Sequence, residues 1–264
     1  MDATDATKPY HGGKQDTNVV LQRIWAQGDY KNFSVQLGKF PDVSNYDKSM
    51  MFNNQMSGAS VTFGNKLKAT VTAGRIDLSN DSQYKTLSPS TDAAANLQSI
   101  ALSYQAGKLS GTAAYLRENS DTFKNVNHSN TVLYSKGGNE DTAGIGEVAG
   151  SYRFDKNVTL SGAYANNSKA DYFEKAGMVQ LDYKASNKAN VGSWGAYVAY
   201  RYLGANAVID PNVDGVGYNQ KGWELGTQYT LFKNVQAKAI YFKGKDLSTD
   251  KDASKLFGRV EFFF

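Results

Sequence analysis

Cysteine is absent from the 264 residues, so disulfides and thiolate metal ligands play no part in this protein. Proline occurs four times, and the two histidines are His11 and His128. No apolar run approaches the roughly 20 residues that a membrane-spanning helix needs. With a mean hydropathy of −0.52, a helical membrane protein is excluded. Charge of one sign is also lacking: the net charge is +4, and the lysines are spread along the chain rather than gathered into a nucleic-acid footprint. Catalytic signatures are missing too. Neither histidine lies in a Ser- or carboxylate-bearing strand motif, and His128 beside Ser129 is adjacency in sequence, not triad geometry. No HExxH, Walker or dinucleotide fingerprint occurs, so the expectation is no enzyme, no cofactor and no metal.

What the chain has instead is aromatics and glycine: 17 Tyr, 13 Phe and 25 Gly. Aromatic side chains suit a pleated surface, and the dominant pattern is apolar alternation at period two. In Asn157–Ala165, Val158, Leu160, Gly162 and Tyr164 share one face while Thr159, Ser161 and Ala163 share the other. In Gly222–Leu231, Trp223, Leu225, Tyr229 and Leu231 oppose Glu224, Gly226, Gln228 and Thr230. The pattern predicts thirteen strands.

Their connections alternate strictly in length. Short links fall at Tyr30–Asn32, Asn65–Lys66, Gly107–Lys108, Asp155–Asn157, Ser186–Asn190 and Lys233–Asn234. Long polar links lie near Pro41–Met56, Ser79–Ala95, Ser120–Asp141, Asn166–Asp171, Gly204–Gly217 and Asp246–Ala253. Short turns on one side and long loops on the other mark an outer-membrane barrel; a Greek-key sandwich has no reason to keep that rhythm. The fold class expected is all-β, a transmembrane antiparallel up-and-down barrel in one domain, with aromatics beside the turns forming interfacial girdles. The strand Asn18–Asp29 and the final strand run in the same direction, so Met1–Thr17 reads as an outer loop. A complete barrel of this kind has an even strand count, which makes sixteen or fourteen strands the expectation, with the first strand or strands lacking. Without them the chain is not expected to insert as a closed monomer.

An Arg facing lipid at the midplane costs roughly 2–4 kcal/mol, so strand-borne charges are assigned inward. The pore-lining set is Arg23, Arg75, Glu147, Arg153, Asp182, Lys184, Arg201, Glu224, Lys238, Arg259 and Glu261. Inward Ser161, Ala163, Ala149, Ser151, Ala199, Thr112 and Ala114 are small and leave room for water. The loop Leu37–Met56 is the constriction candidate. Its exit Gly38-Lys39-Phe40 resembles the Gly-basic-aromatic run that leads into the inward loop of general porins, which implies that Asp42 and Asp47 face basic wall residues such as Arg23 and Arg75, with Met50, Met51 and Phe52 packing the loop against the wall.

The ending Leu256–Phe264, LFGRVEFFF, resembles the terminal strand of Gram-negative outer-membrane proteins, with Val260, Phe262 and Phe264 at alternate positions. That resemblance implies recognition by the barrel-assembly machinery. Phrases such as GASVTFGNKLKATVTAG and the RVEFFF ending resemble the barrel portion of OmpM-type general porins of diderm Firmicutes, which carry an amino-terminal S-layer-homology region. This implies a homotrimeric sixteen-stranded diffusion pore in the bacterial outer membrane, surrounded by its lipid and passing ions and small hydrophilic solutes. The alternatives are a structural or envelope-tethering barrel with a plugged lumen and an outer-membrane barrel enzyme.

Overall fold

A computed structural model describes residues 23–43, 47–51, 53–77, 94–121, 141–209 and 211–264. Met1–Thr17, both histidines and Phe52 lie outside the described residues. Thirteen strands follow one another: β1 Ile24–Asp29, β2 Phe33–Val43, β3 Asn53–Gly64, β4 Leu67–Asp77, β5 Ala94–Ala106, β6 Leu109–Asn119, β7 Thr142–Arg153, β8 Val158–Asn167, β9 Lys175–Tyr183, β10 Trp194–Leu203, β11 Gln220–Phe232, β12 Val235–Asp246 and β13 Asp252–Phe262. All belong to one sheet in sequence order, each strand antiparallel to the next. Among the described residues no pairing joins β1 to β13.

The short connections close tight hairpins. Gly107 (φ 58°) supplies the left-handed backbone that the two-residue turn into β6 requires. At the β7–β8 turn the backbone N–H groups of Asn157 and Val158 donate to Asp155 Oδ1 at 2.7 and 2.9 Å. These bonds hold the Asp155 carboxyl below the usual carboxylate range.

Register fixes which side chains share a face. The cross-strand pairs Leu67–Tyr104, Leu109–Tyr152 and Val158–Tyr183 place apolar residues on one surface. That surface is exposed, with Ile100, Leu102, Val148, Val179 and Leu225 all in the open. A water-soluble sheet would bury such a face; a lipid-facing wall leaves it outward. Aromatics collect beside the short turns, where Tyr30 stacks on Phe33 at 4.5 Å, Tyr152 meets Phe154 edge-on at 5.1 Å and Tyr183 lies 5.8 Å from Trp194. Six residues further along each strand, Tyr115, Tyr164, Tyr200, Trp223 and Tyr241 form a second outward band. These are the two girdles that the alternation predicts.

Candidate functional site

The concave face changes character along its height. In the half nearest the short turns it carries hydroxyls: Ser60 and Thr72 are 2.9 Å apart, as are Thr62 and Thr70, and Ser110 and Ser151 are 2.8 Å apart. A cavity of about 320 Å³ opens there, lined by Gln105, Ser110, Ser151, Arg153, Thr159 and Asp182 among others. Nearer the long loops the same face turns apolar. Phe40, Met56, Ile76, Leu97, Leu116, Ile145, Met178 and Phe242 join a buried cluster there.

Two loops complete that cluster. Residues 47–51, between β2 and β3, bury Met50 and Met51, and residues 204–209 and 211–219, between β10 and β11, bury Ala207, Val208, Ile209 and Val216. The loops meet through their backbones: Ile209 N donates to Met51 O at 3.1 Å and Asn212 N to Ser49 O at 3.0 Å. Strands this far apart in the sheet can be bridged this way only across its concave side. Each loop also reaches down the wall. Lys48 Nζ lies 3.0 Å from Asp182 Oδ2, one residue from the short-turn end of β9. Asp214 Oδ2 accepts from Lys238 Nζ at 2.7 Å and from Arg259 at 3.4 Å, and Arg259 Nη2 lies 3.0 Å from Glu261. Both loops thus descend most of the strand height from the rim.

The second loop is anchored by a buried ionic network. Arg201 Nε lies 3.3 Å from Glu224 Oε1, and Arg201 Nη2 donates to Gln180 Oε1 at 2.7 Å. Tyr197 OH donates to Glu224 Oε1 at 2.7 Å, and Val216 N donates to Glu224 Oε2 at 3.0 Å. The sequence Gly222-Trp-Glu-Leu-Gly226 makes this possible. Arg201 is paired across the ladder with Gly222 and Tyr197 with Gly226, so both long side chains have free space opposite and lean toward the Glu224 between them. A Cβ at Gly226 would stand 2.1 Å from the Tyr197 ring.

The sequence-assigned residues divide accordingly. Glu147, Arg153, Asp182, Arg201, Glu224, Lys238, Arg259 and Glu261 stand on the concave face. Asp47 is buried in the inserted loop, but it faces Glu147 rather than Arg23 or Arg75, and its carboxylate accepts from Ser49 N at 3.0 Å and Met51 N at 2.8 Å. Asp42 lies in β2 opposite Asn54. Arg23, just before β1, donates to Gln55 Oε1 at 3.2 Å. Two assignments are corrected. Lys39 and Arg75 share a row with Ile24 and Ser57 on the outward face, as the pairing with Leu37 and Ala73 neighbours requires. Their position near the rim removes the cost argument for turning inward, because the lipid penalty falls to about 0–1 kcal/mol near the interface. Lys184 follows the end of β9 with φ 58° and lines the same cavity as Arg153 and Asp182, at its girdle end, where its ammonium stands over the rings of Trp194 at 4.9 Å and Tyr183 at 5.4 Å. Arg117, in the row with Gln98, is outward as well. Val260 and Phe262 sit on the outward face of β13, and Phe264 beyond it is fully exposed. The loop of residues 204–219 escaped the sequence reading; the signal was its apolar content, unusual for a long link meant to face water.

A family model described as "Putative porin" matches residues 120–254. No curated protein matches the chain in sequence. Among solved structures, a double mutant of the Rh. blastica porin superposes with a TM-score of 0.52 at 15% identity, over 92% of this chain and 76% of that one. A high-pH structure of Pseudomonas putida OprB gives 0.57 at 12% identity, over 89% and 70%. At such identities the likeness is one of fold.

Proposed function

The chain belongs to this porin family, and from that premise we propose that it forms a constricted diffusion channel for ions and small hydrophilic solutes. The location is the outer membrane, and family and fold are those of a channel rather than an enzyme. The observation that carries the reading is the inverted wall. Its convex face is apolar and open, while its concave face holds hydroxyls and ion pairs around a cavity. A wet interior keeps such charges solvated and lets them act on passing ions. Lys48, Asp182, Asp214, Lys238, Arg259 and Glu261 are the constriction charges in this proposal. Assembly as a homotrimer, and use of Val260, Phe262 and Phe264 as the signal to the assembly machinery, belong to the same proposal.

A plugged barrel is the second reading, favoured by the apolar cluster that both inserted loops build. Conductance separates the two. Detergent-purified protein in a planar bilayer is expected to give stable steps, grouped in threes if it is trimeric. Silence from protein shown by circular dichroism to be folded β would leave the plugged reading.

A further inference from the structure

We propose that the long-loop end of the convex wall is a docking surface for the phosphate of anionic lipid headgroups in the outer leaflet, densest on β4–β6. The inference rests on the outer-membrane reading of the wall. Its evidence is a repeat in the register. On the outward face, Arg75 lies eight residues from the girdle residue Leu67, and Arg117 eight from Leu109. Lys175 lies eight from Tyr183, Lys221 eight from Tyr229, and Lys243 eight from Val235. Eight residues at about 3.3 Å each, on a strand tilted by about 40°, climb roughly 20 Å. That approaches the ~25 Å height of an outer-membrane apolar band. On β6, β11 and β12 the order is girdle, aliphatic, second aromatic, then cation, which is the order an interface imposes; on β4 and β9 small Ala73 and Gly177 stand where the second aromatic would be.

The polarity of the alternation also reverses at this level. Along β5, Ile100 and Leu102 point outward while Ser99 and Ser103 point inward. Past them Asn96 and Gln98 point outward while Ala95 and Leu97 are buried inward. Two adjacent rows are polar: Arg75–Asn96–Asn119, and Gln98–Arg117–Gly144 with Ala73 at its edge. Asn96, Gln98, Arg117 and Asn119 of these rows line a shallow cleft of about 280 Å³, and Arg75 is paired with Asn96 at its edge. No described acidic side chain pairs with Arg75 or Arg117. Asn119 Nδ2 already donates to Asp141 O and Thr142 Oγ1, so the donors on offer are the two guanidiniums and the carboxamides of Asn96 and Gln98, and guanidinium prefers bidentate phosphate oxygens. Surface cations on a membrane-contacting face draw anionic headgroups. Strand spacing puts β4 and β6 about 10 Å apart, within the span of one headgroup.

The test uses the purified protein in zwitterionic detergent, titrated with short-chain phosphatidic acid, with phosphatidylcholine, and with inorganic phosphate, read by native mass spectrometry. Phosphatidic acid is expected to bind, phosphatidylcholine to bind at least about tenfold more weakly, and free phosphate not to be retained, because the acyl chains hold the headgroup at the cleft. The R75A/R117A double variant should lose roughly tenfold in affinity for phosphatidic acid, while K233A, which removes a short-turn cation, binds as the wild type. Conductance of R75A/R117A should stay unchanged, so failure here is separable from failure of the channel reading. Equal binding of the two lipids, or undiminished phosphatidic acid binding by R75A/R117A, overturns the proposal. So does a variant that keeps its lipid but dissociates on light scattering, which would make the patch a contact between copies of this chain.

Discussion

Asp214→Asn is the substitution that reads the constriction most directly. Three cations, Lys48, Lys238 and Arg259, face three carboxylates, Asp182, Asp214 and Glu261, so the charge at the narrowing is balanced. The Asp214 side chain is 14% exposed and Lys238 25%, so these groups are wet enough to act on ions yet close enough to be held. Asn keeps the shape and an acceptor for Lys238, which leaves the loop seated. What changes is one unit of charge. In water a unit charge acts on a monovalent ion 5 Å away with about 0.8 kcal/mol, with opposite sign for cation and anion. The permeability ratio then moves toward anions by up to roughly tenfold, reduced to several-fold in 0.1 M salt where the screening length is about 10 Å. The assay is the reversal potential in a tenfold potassium chloride gradient, for wild type and D214N side by side. An unchanged potential, or a shift toward cations, would refute the claim that these six side chains set the local field.

Glu224→Ala strips the partner from an Arg201 that is 3% exposed and frees Val216 N. A buried charge left alone costs about 3–5 kcal/mol, so the denaturant midpoint in detergent should fall markedly, and E224Q less; a wild-type midpoint for E224A contradicts the anchoring role. The absence of cysteine makes single-cysteine probes clean: S103C, on the hydroxyl-lined half of β5, should react with a charged thiol reagent and lower the current, whereas A199C, buried behind the inserted loop, should not. Equal labelling rates at the two sites would remove the packed loop from that wall. Asp155 has a folded pKa held low by Asn157 and Val158, so its contribution to the β7–β8 turn is present above the unfolded carboxylate pKa. It is lost only as pH falls through the depressed folded value. Amide exchange at Asn157 and Val158 should therefore stay protected at mildly acidic pH and open at stronger acidity, and D155N should remove that pH dependence.

The strands were legible because period-two alternation and turn chemistry agree along the whole chain. Thirteen were expected and thirteen are found among the described residues, with the short links where Gly107–Lys108 and Lys233–Asn234 place them. β1 is described only from Ile24, and the residues before it in the expected strand lie outside the described ones. Met50 and Met51 announced an inserted loop because two adjacent methionines in a polar link have no reason to face water. The same signal stood in Ala207, Val208 and Ile209 and was passed over. Residues near the rim misled for a physical reason. The cost of an outward Arg depends on depth, and sequence gives no depth until the register is known. Arg75 therefore went to the wrong face, while Arg153, Arg201 and Arg259 did not; Lys39 went with it for another reason, as part of the loop candidate Leu37–Met56. The pairing of Arg201 with Glu224 was out of reach for another reason: it is diagonal, and depends on Gly222 and Gly226 standing opposite the two side chains that lean together.

The interior follows from the width of the wall. A ring of thirteen or more strands is too wide for side chains to fill, and the inward residues of β7 and β8 are as small as Ala149, Ser151, Ser161 and Ala163. Matter that narrows such a space has to come from loops. One loop alone would expose its apolar side to the water it displaces. Here two loops rooted on distant strands share that burden: Met50 and Met51 from one pack with Val208 and Ile209 from the other, and their backbones are bonded together. The apolar contact lies high, level with Leu97, Leu116 and Ile145, whereas the ion pairs of Lys48 and Asp214 lie low, near the hydroxyl-lined half. Dry packing therefore fixes the frame from above, and the charges that meet solute are presented below it on partly exposed side chains. Changing a charge in the lower set should alter selectivity with little change in stability. Changing the upper set should do the reverse, and this separation is what the Asp214 and Glu224 substitutions measure from opposite sides.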